Sequence, residues 1–295
     1  MKTSSFVSIV IPVYNRLDQL EITLKSVKNQ TYEHYEVILI DDASEVDINY
    51  EGIREKFNFS AFKYEKLSVN KGPGGARRRG RELAEDEYIA YLDSDDEWTE
   101  EFLERTIDIL EKHSHISMVF TACVTKNRGE LFKKTNIKSG THDYHNLVFN
   151  QGKTWATGAG VWRDRISKPE NWKDFRDHED FVHDILSTSF FSEIYHIPEY
   201  LCVVNKNETL GVKRSNKEML KALQCLAKDV ELKKNLKVKK KNTYFSSFVL
   251  FRMKRRKYKF SDLPKLLAVF FALMKFGNHK QLRNSFFKII LKITP

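Results

Sequence analysis

Short apolar runs alternate with helical patterns through the first hundred residues, and this alternation constrains the fold more than any other feature. Four runs have the length and composition of buried strands; they are residues 7–11, 36–40, 62–67 and 88–92. Helical patterns separate them, and the third pattern follows a Gly-Pro-Gly-Gly loop at residues 72–75. Such alternation is typical of parallel βαβ units, so we predict an α/β sheet covered by helices.

Polar residues follow three of the four predicted strands. They are Tyr-Asn at 14–15, Asp-Asp at 41–42 and Asp-Ser-Asp-Asp at 93–96. In open α/β sheets ligands bind beyond the carboxyl ends of the strands. We therefore expect these three groups to converge on one crevice.

The acidic run 93–96 has two interpretations. Clustered carboxylates repel one another unless a cation neutralises them, and Mg²⁺ or Mn²⁺ can bridge carboxylate to phosphate. The alternative is a solvated acidic turn that caps the helix beginning near Thr99. An arginine-rich segment at residues 77–81 precedes the strand. Carboxylates, metal and arginine together suit a diphosphate ligand.

Five segments resemble family-2 glycosyltransferases, in the order that the family has them. They read VSIVIPVYN (7–15), LKSV with QTY (24–32), EVILIDDAS (36–44), NKG to AR (70–77) and EYIAYLDSDD (87–96). The resemblance is dense over residues 6–105 and thinner to about 210. It implies a GT-A fold, a Rossmann-like mixed sheet flanked by helices, and an inverting transfer of sugar from a UDP-sugar.

The resemblance implies a nucleotide site formed by Pro12, Tyr14, Asn15, Asp42 and Arg77. Tyr14 would lie near the base, and the Asp42 carboxylate would accept a hydrogen bond from the uracil imide. Arg77 matches the arginine of the family's nucleotide-contacting loop. The residue types alone leave open a packed strand-end aromatic for Tyr14 and a solvated helix face for the arginines.

The same resemblance gives roles to the acidic turn. Asp93 and Ser94 would approach the ribose or the donor sugar, and Asp95 would ligate Mn²⁺ or Mg²⁺ at the diphosphate. Many relatives carry a further His after the base helix, and this chain has none there. Asn207 or Lys206 could take its place, so the third metal ligand stays open.

The resemblance also identifies Asp180 as the general base and Glu179 as a supporting or acceptor-contacting residue. Inverting transfer needs a carboxylate that takes the proton from the acceptor hydroxyl, while metal stabilises the leaving UDP. The alternative is an acidic cap at the start of a helix, favourable to its dipole. We expect His178 and His183 to be surface or supporting side chains rather than ligands.

The segment at residues 155–163, WATGAGVWR, precedes this acidic pair. Its small residues permit the close approach of a sugar, and Trp155 or Trp162 could stack on a sugar face. A Gly-rich bend before a strand is the alternative, and the residues do not decide between them.

Charge divides the chain into two parts. Residues 1–204 hold 26 basic and 35 acidic residues, a net charge of −9, whereas residues 205–295 hold 24 and 5, a net charge of +19. We predict a GT-A domain over 1–210 and a basic, aromatic-rich helical region over 211–295. Basic runs interleaved with apolar clusters are typical of helices at an anionic membrane surface. The alternative is a helical subdomain with solvated lysines that packs on the catalytic domain.

Three scattered cysteines indicate a reducing cytoplasm rather than a disulfide framework. We find neither a convincing signal peptide nor an apolar stretch of the ~18–20 residues that span a bilayer. The expectation is a cytoplasmic protein, peripheral on the inner face of the cell membrane.

The function expected from the resemblance is hexosyl or N-acetylhexosaminyl transfer from a UDP-sugar to a glycan or lipid-linked glycan of a bacterial surface polysaccharide, such as capsule, O-antigen or lipooligosaccharide. One alternative is a sugar nucleotidyltransferase, which would carry a Gly-rich loop directly after the first strand. Another is nucleic-acid binding through the basic tail, although we expect no nucleic-acid partner. The absence of GxGxxG after the first strand disfavours a Rossmann dehydrogenase.

Overall fold

The computed structural model describes residues 6–127, 130–134, 137–144, 147–148, 155–187, 193–205, 216–228 and 262–273, with Tyr258, Phe286 and Ile289. The strands are β1 (Val7–Val13), β2 (Tyr35–Asp41), β3 (Phe62–Lys66), β4 (Tyr88–Tyr91), β5 (Glu97–Trp98), β6 (Met118–Asn127), β7 (Glu130–Lys134), β8 (Gly140–Asp143), β9 (Gly160–Arg163) and β10 (Glu193–Asn205). The helices are α1 (Leu17–Lys28), α2 (Tyr50–Phe57), α3 (Gly72–Leu83), α4 (Phe102–Lys112), α5 (Glu179–Ser187), α6 (Asn216–Lys228) and α7 (Leu263–Leu273).

The described strands form one mixed sheet in the order β3-β2-β1-β4-β9-β6-β10-β5, with β7 beside β6 and β8 beside β10. The four strands expected from the first hundred residues pair in parallel with one another. Strands β1 and β2 are buried along their whole length, as expected for strands covered by helices on both faces. The predicted α/β sheet is therefore confirmed.

Pro12 lies inside β1, a central strand, where proline is unusual. Strand β4 pairs with β1 only as far as Val10↔Tyr91. Pro12 comes two residues later, so its missing N–H breaks no bond to β4. The end of β1 is thereby left open towards the acidic turn that follows β4.

The prediction of a loop at residues 72–75 is wrong, because these residues form the first turn of α3 with Pro73 at its start. Proline is well suited to the first turn of a helix, whose N–H groups have no partner within the helix. Gly74 is needed for a different reason. A Cβ atom there would overlap the carbonyl oxygen of Lys173 and lie 3.0 Å from the Cβ of Glu179. The start of α3 therefore packs closely against the chain that leads into α5.

The segment at residues 155–163 is a bend followed by a strand. A 3₁₀ turn (Thr157–Ala159) leads directly into β9. Trp155 and Trp162 are both buried in the core. Because neither ring can reach a sugar from there, stacking by these tryptophans is excluded. Close approach of a sugar to the small residues of this bend stays a prediction.

The described part of the C-terminal region packs on the sheet domain. Helix α6 contacts α5, and α7 contacts α6. Their buried apolar side chains join the main core; they include Met219, Leu220, Leu223, Leu226, Leu266 and Val269. On the outer side of α7, Phe271 is 64% exposed.

No helix among the described residues is both long and apolar enough to cross a bilayer. The basic runs at 233–241 and 252–257, and the predicted boundary near residue 210, lie outside the described residues. The division at residue 210 therefore stays a prediction.

Candidate active site

Hydrogen bonds join the residues that follow the carboxyl ends of β1 and β2, at one edge of the sheet. The backbone N–H of Asn15 donates to Ser44 Oγ at 3.0 Å, and the Asn15 side chain accepts from the N–H of Glu45 at 2.9 Å. Tyr14 is 40% exposed beside them. The exposed ring of Tyr14 is therefore available to a ligand, whereas Pro12 is buried below it.

Asp42 is a buried carboxylate next to this junction. Its Oδ1 accepts a 2.7 Å hydrogen bond from the backbone N–H of Lys71, just before α3. Burial raises the pKa of Asp42 to about 6, although the N–H groups of Lys71 and Gly72 and the charge of Arg176 act in the opposite direction. Asp42 therefore changes its charge close to neutral pH.

Arg77 connects the acidic turn to Glu179, the residue that precedes the predicted general base. It projects from α3, is almost completely buried, and donates to Glu179 Oε1 at 2.8 Å and to Asp93 Oδ1. Burial opposes the charge of Arg77, but the two carboxylates raise its pKa above the ordinary arginine value. Residues 93 and 179, far apart in sequence, thus meet at one guanidinium.

The turn after β4 is closed by contacts with two other strand ends. Arg16, after β1, pairs with Asp95 Oδ2. Asn205, the last residue of β10, donates from its side chain to the carbonyl oxygen of Asp95 at 2.8 Å and from its backbone to Asp96 Oδ1 at 3.0 Å. Ser94 is buried within the turn. The polar strand ends therefore converge as predicted.

Burial, followed by repulsion between neighbouring carboxylates, raises the pKa values of two acids in this turn. Burial raises the pKa of Asp95, and nearby Asp93 adds to the effect while Arg16 opposes it. Burial also raises the pKa of Asp96 well above the ordinary value, with Asp93 and Asp95 contributing. Two of the carboxylates already pair with arginines, Asp95 with Arg16 and Asp93 with Arg77, and burial disfavours the charged forms of Asp95 and Asp96.

Glu179 and Asp180 start α5 and differ in environment. Glu179 is buried, and desolvation raises its pKa to about 7; Asp180 contributes to this rise, while Arg77 opposes it. Asp180 is only partly buried, and its Oδ2 accepts a 3.3 Å hydrogen bond from Thr157 Oγ1. Of the two, Asp180 is the more exposed carboxylate.

Both histidines near Glu179 and Asp180 are buried. His178 is 8% exposed, and His183 is fully enclosed. The expectation of surface positions was therefore wrong, because the two rings pack inside the domain next to α5. A supporting role remains consistent with these positions.

The acidic turn offers carboxylate oxygens, the type of donor atom that Mg²⁺ and Mn²⁺ prefer. No cluster of three or more His, Cys, Asp or Glu side chains suited to a metal occurs among the described residues. Mg²⁺ at diphosphate sites usually takes one or two carboxylates and completes its shell with phosphate oxygens and water. Asp95, with Asp93 nearby, satisfies that smaller requirement. Lys206 and Asn207 lie outside the described residues.

Backbone strain collects around the same site. Four non-glycine residues in the described part of the chain have positive φ, namely Asn15, Ala43, Asn58 and His178. The first two and the last are adjacent to Tyr14, Asp42 and Glu179. Such strain persists only where the surrounding structure enforces it, and it clusters at functional sites.

Several residues that touch the site were not identified from the sequence. Arg16 and Asn205 stand at strand ends, so the signal that identified residues 14–15 and 93–96 could have found them. Thr157 and Trp172 carry no such signal. Trp172 lies under Arg77, with the guanidinium carbon 5.0 Å from the ring centroid, and only the tertiary structure reveals that contact.

Comparisons with known proteins agree with this geometry. The model of the family described as "Glycosyl transferase family 2" matches residues 8–173, more than half of the chain. The crystal structure of residues 1–349 of S. aureus TarS in complex with UDP-GlcNAc superposes with a TM-score of 0.77 at 17% identity. That match covers 98% of this chain and 88% of that chain. The predicted GT-A fold is confirmed.

Two curated relatives match the N-terminal part of the chain. One is a putative teichuronic acid biosynthesis glycosyltransferase, TuaG, of Bacillus subtilis, 34% identical over 37% of this chain and 43% of the relative. The other is WfaP of Escherichia coli, a UDP-Glc:alpha-D-GlcNAc-diphosphoundecaprenol beta-1,3-glucosyltransferase, 33% identical over 46% of this chain and 59% of the relative. The chain thus matches about half of the length of these relatives.

Proposed function

The chain belongs to glycosyl transferase family 2, and from this premise we propose that it is an inverting glycosyltransferase of bacterial surface polysaccharide synthesis. The donor is a UDP-sugar, and the acceptor is a hydroxyl of a glycan or lipid-linked glycan. The E. coli relative is named for a UDP-sugar donor and a diphosphoundecaprenol acceptor, and the S. aureus structure contains UDP-GlcNAc. The comparisons give no support to a nucleotidyltransferase or a nucleic-acid-binding protein.

The observation that carries the proposal is the Arg77 contact with both Asp93 and Glu179. Asp93 stands at the strand end expected to approach the donor, and Glu179 precedes the expected base. A single buried guanidinium bonded to both supports a site in which donor and acceptor react side by side. Effective proximity of this kind supplies much of the rate in group transfer.

In the proposed mechanism, Asp180 takes the proton of the acceptor hydroxyl as its oxygen attacks the anomeric carbon. The bond from that carbon to the UDP oxygen breaks, and the sugar inverts because attack and departure occur on opposite faces. Glu179 is less suited to this role because it is buried and bonded to Arg77. Thr157 donates to Asp180 and orients its carboxylate.

The donor site is proposed at Tyr14, Asn15, Asp42, Asp93 and Ser94, with Asp42 accepting from the uracil imide. Mn²⁺ or Mg²⁺ is proposed at Asp95, where a divalent cation, when bound, would neutralise charge on the diphosphate. Arg77 is expected to act near the nucleotide while it bonds Asp93 and Glu179. These assignments follow the family resemblance and agree with the contacts described above.

The base assignment is tested with Asp180→Asn. We expect loss of UDP-sugar transfer and hydrolysis by about 10²–10⁴-fold, the usual contribution of general base catalysis, with UDP affinity retained. A screen of UDP-sugars for hydrolysis provides the assay. Asp177→Asn, a neighbouring acid on the same segment, serves as the control for changed charge. Full activity in Asp180→Asn would exclude Asp180 as the base.

The metal site is tested by calorimetric UDP titration of the Asp95→Ala variant with and without Mn²⁺. We expect Mn²⁺ to tighten UDP binding by the unmodified protein and to have little effect on the variant. Asp108→Ala, an exposed acid on α4, is the matched control. An identical Mn²⁺ effect in all three proteins would place the metal elsewhere.

Peripheral attachment to an anionic membrane is proposed for the C-terminal region. Its sequence has a net charge of +19 over residues 205–295, and Phe271 is exposed on α7. Because α6 packs on α5, this region adjoins the helix that begins with Glu179 and Asp180. A lipid-linked acceptor at the membrane would therefore be presented close to the proposed base.

A further inference from the structure

Behind the proposed base, four ring or guanidinium groups from separate elements pack together. The indole of Trp172 contacts the guanidinium of Arg77 and stacks on the imidazole of His183, with ring centroids 4.0 Å apart and planes inclined by 14°. Tyr91, the last residue of β4, meets both rings edge-on, at 4.7 Å from Trp172 and 5.6 Å from His183. We call Arg77, Trp172, His183 and Tyr91 the aromatic stack.

The imidazole at the end of this stack is fixed in place. His183 has no exposed surface, and its Nε2 lies 2.9 Å from Ser167 Oγ and 3.3 Å from Ser187 Oγ. Its Nδ1 lies 3.0 Å from Asp184 Oδ1. Because both ring nitrogens have partners, rotation of the ring would break several buried hydrogen bonds.

The same hydrogen-bond network extends to the strand that carries the acidic turn. Ser167 Oγ lies 2.6 Å from the hydroxyl of Tyr91, and Asp93 follows Tyr91 by two residues. His183 stands one helical turn after Glu179 on α5. The three rings of the aromatic stack thus belong to or contact both elements whose carboxylates Arg77 bonds, and Trp172 contacts Arg77 itself.

A buried arginine can bond two acids at once only if the plane of its guanidinium group has a fixed orientation. Arg77 reaches Glu179 and Asp93 with different Nη groups, so a rotated guanidinium would lose at least one of these bonds. An aromatic face within about 6 Å attracts a guanidinium and favours one orientation. Trp172 supplies that face, and His183 in turn keeps the indole from tilting.

We propose that Trp172 and His183 are positioning residues for the transfer reaction, which act by holding Arg77 in the orientation that joins Glu179 to Asp93. They do not touch the substrate. The proposal rests on the proposed function, since the reaction they assist is sugar transfer. Its structural part, the restraint on Arg77, is independent of any substrate.

The kinetic test compares Trp172→Met, which keeps apolar volume without a ring, with Trp172→Phe, which keeps an aromatic face. We expect Trp172→Met to lower kcat by about 10- to 100-fold, as small displacements of reacting groups do. KM for the UDP-sugar should rise by a smaller factor, because Arg77 is also proposed to lie near the nucleotide. Trp172→Phe should recover most of kcat. Phe57→Met removes a buried ring on α2, remote from the site, and controls for general loosening.

A second measurement needs no substrate. In ¹⁵N spectra of the arginine side chains, a guanidinium bonded through both Nη groups rotates slowly and gives resolved Nη signals. We expect such signals for Arg77 in the unmodified protein and in Trp172→Phe, and averaged signals in Trp172→Met. His183→Gln, which keeps hydrogen-bonding groups but no ring, gives the same comparison if Trp172→Met does not fold.

The outcomes separate the two proposals. Resolved Arg77 signals in Trp172→Met, or an unchanged kcat, would overturn the positioning role while leaving the transferase proposal intact. No turnover of any UDP-sugar by the unmodified protein would count against the proposed function. In that case averaged Arg77 signals in Trp172→Met would still support the restraint, and resolved signals would exclude it.

Discussion

At the scale of single residues, Asp42 is a buried carboxylate whose proposed role in binding uracil depends on its ionisation. The side chain is buried and bonded to one backbone N–H through Oδ1. Desolvation disfavours its charged form, which is why its pKa rises to about 6. A carboxylate that lacks solvent regains stabilisation when a ligand N–H bonds to it, so binding and ionisation are coupled.

This coupling predicts that uridine binding weakens as the pH falls. A group whose folded pKa is about 6 is mostly neutral at pH 5 and mostly ionised at pH 7.5. If the ionised form binds, affinity at pH 5 should be roughly tenfold lower than at pH 7.5. Uridine titrations followed by NMR would measure it, since uridine carries no phosphate that titrates in this range.

Asp42→Asn provides the control for the uridine titrations. The amide does not titrate, so we expect weak binding with no dependence on pH between 5 and 7.5. An unmodified protein whose affinity is constant over this range would contradict the assigned role of Asp42. So would a steep pH dependence that survives in the variant.

At the scale of elements, the start of α3 packs against the segment that leads to the proposed base, and it carries Arg77 of the proposed donor site. The backbone of Lys173 and Phe175 lies against Gly74 and Gly72, and Arg77 stands one turn further along. Glycine at the start of a helix is usually unfavourable relative to alanine by up to ~1 kcal/mol. Here the absence of a Cβ permits contact between α3 and the chain that leads to α5.

We therefore predict that Gly74→Ala destabilises the protein although alanine is the better helix former. The new Cβ would overlap the Lys173 carbonyl, and overpacking of this kind costs about 1–3 kcal/mol. Urea unfolding would show the loss of free energy of unfolding. UDP-sugar turnover should fall as well, because the Cβ of Glu179 lies at 3.0 Å.

Gly52→Ala on α2 is the comparison. Its Cβ would lie 2.6 Å from Nδ2 of Asn49, the end of an exposed side chain. The end of a side chain moves aside more readily than a packed backbone carbonyl group, so we expect a smaller loss of free energy of unfolding. Equal losses in the two variants would mean that the contact with Lys173 is not the cause.

The elements that local patterns determine were the ones predictable from the sequence. Strands β1, β2 and β4 and their polar ends follow from short-range hydrophobic periodicity and composition. The start of α3 was misjudged because glycine and proline indicate a loop unless a long-range contact requires them. The bonds of Arg16 to Asp95 and of Arg77 to Trp172 join distant segments, and no local pattern encodes such pairs.

At the scale of the whole molecule, the two parts of the chain carry net charges of opposite sign. The net charge of −9 over residues 1–204 and of +19 over residues 205–295 favours contact of the C-terminal region with anionic surfaces. Helix α7 buries Leu266 and Val269 but leaves Phe271 exposed. One face of α7 can therefore pack on the domain while the opposite face contacts a membrane, so the two interpretations of this region are compatible.

Liposome flotation of the full chain tests this arrangement. We expect recovery with vesicles that contain anionic lipid, and loss of recovery in high salt or with neutral vesicles. Replacing the three lysines at 239–241 by glutamine should lower partitioning by about a hundredfold, at about 1 kcal/mol for each. Replacing exposed Lys25, Lys112 and Lys138 instead should have little effect. Equal recovery with neutral and anionic vesicles would remove the electrostatic argument.

The left-handed backbone at Asn15, Ala43 and His178 has a consequence for how such a sequence can evolve. Each of these positions stores about 1–3 kcal/mol that glycine would release, so each is an accessible route to heat tolerance. Each is also adjacent to a proposed site residue, and glycine would allow the backbone beside that residue more freedom. Adaptation to higher temperature is therefore expected to proceed elsewhere in the chain, because gains at these three turns would slow the enzyme.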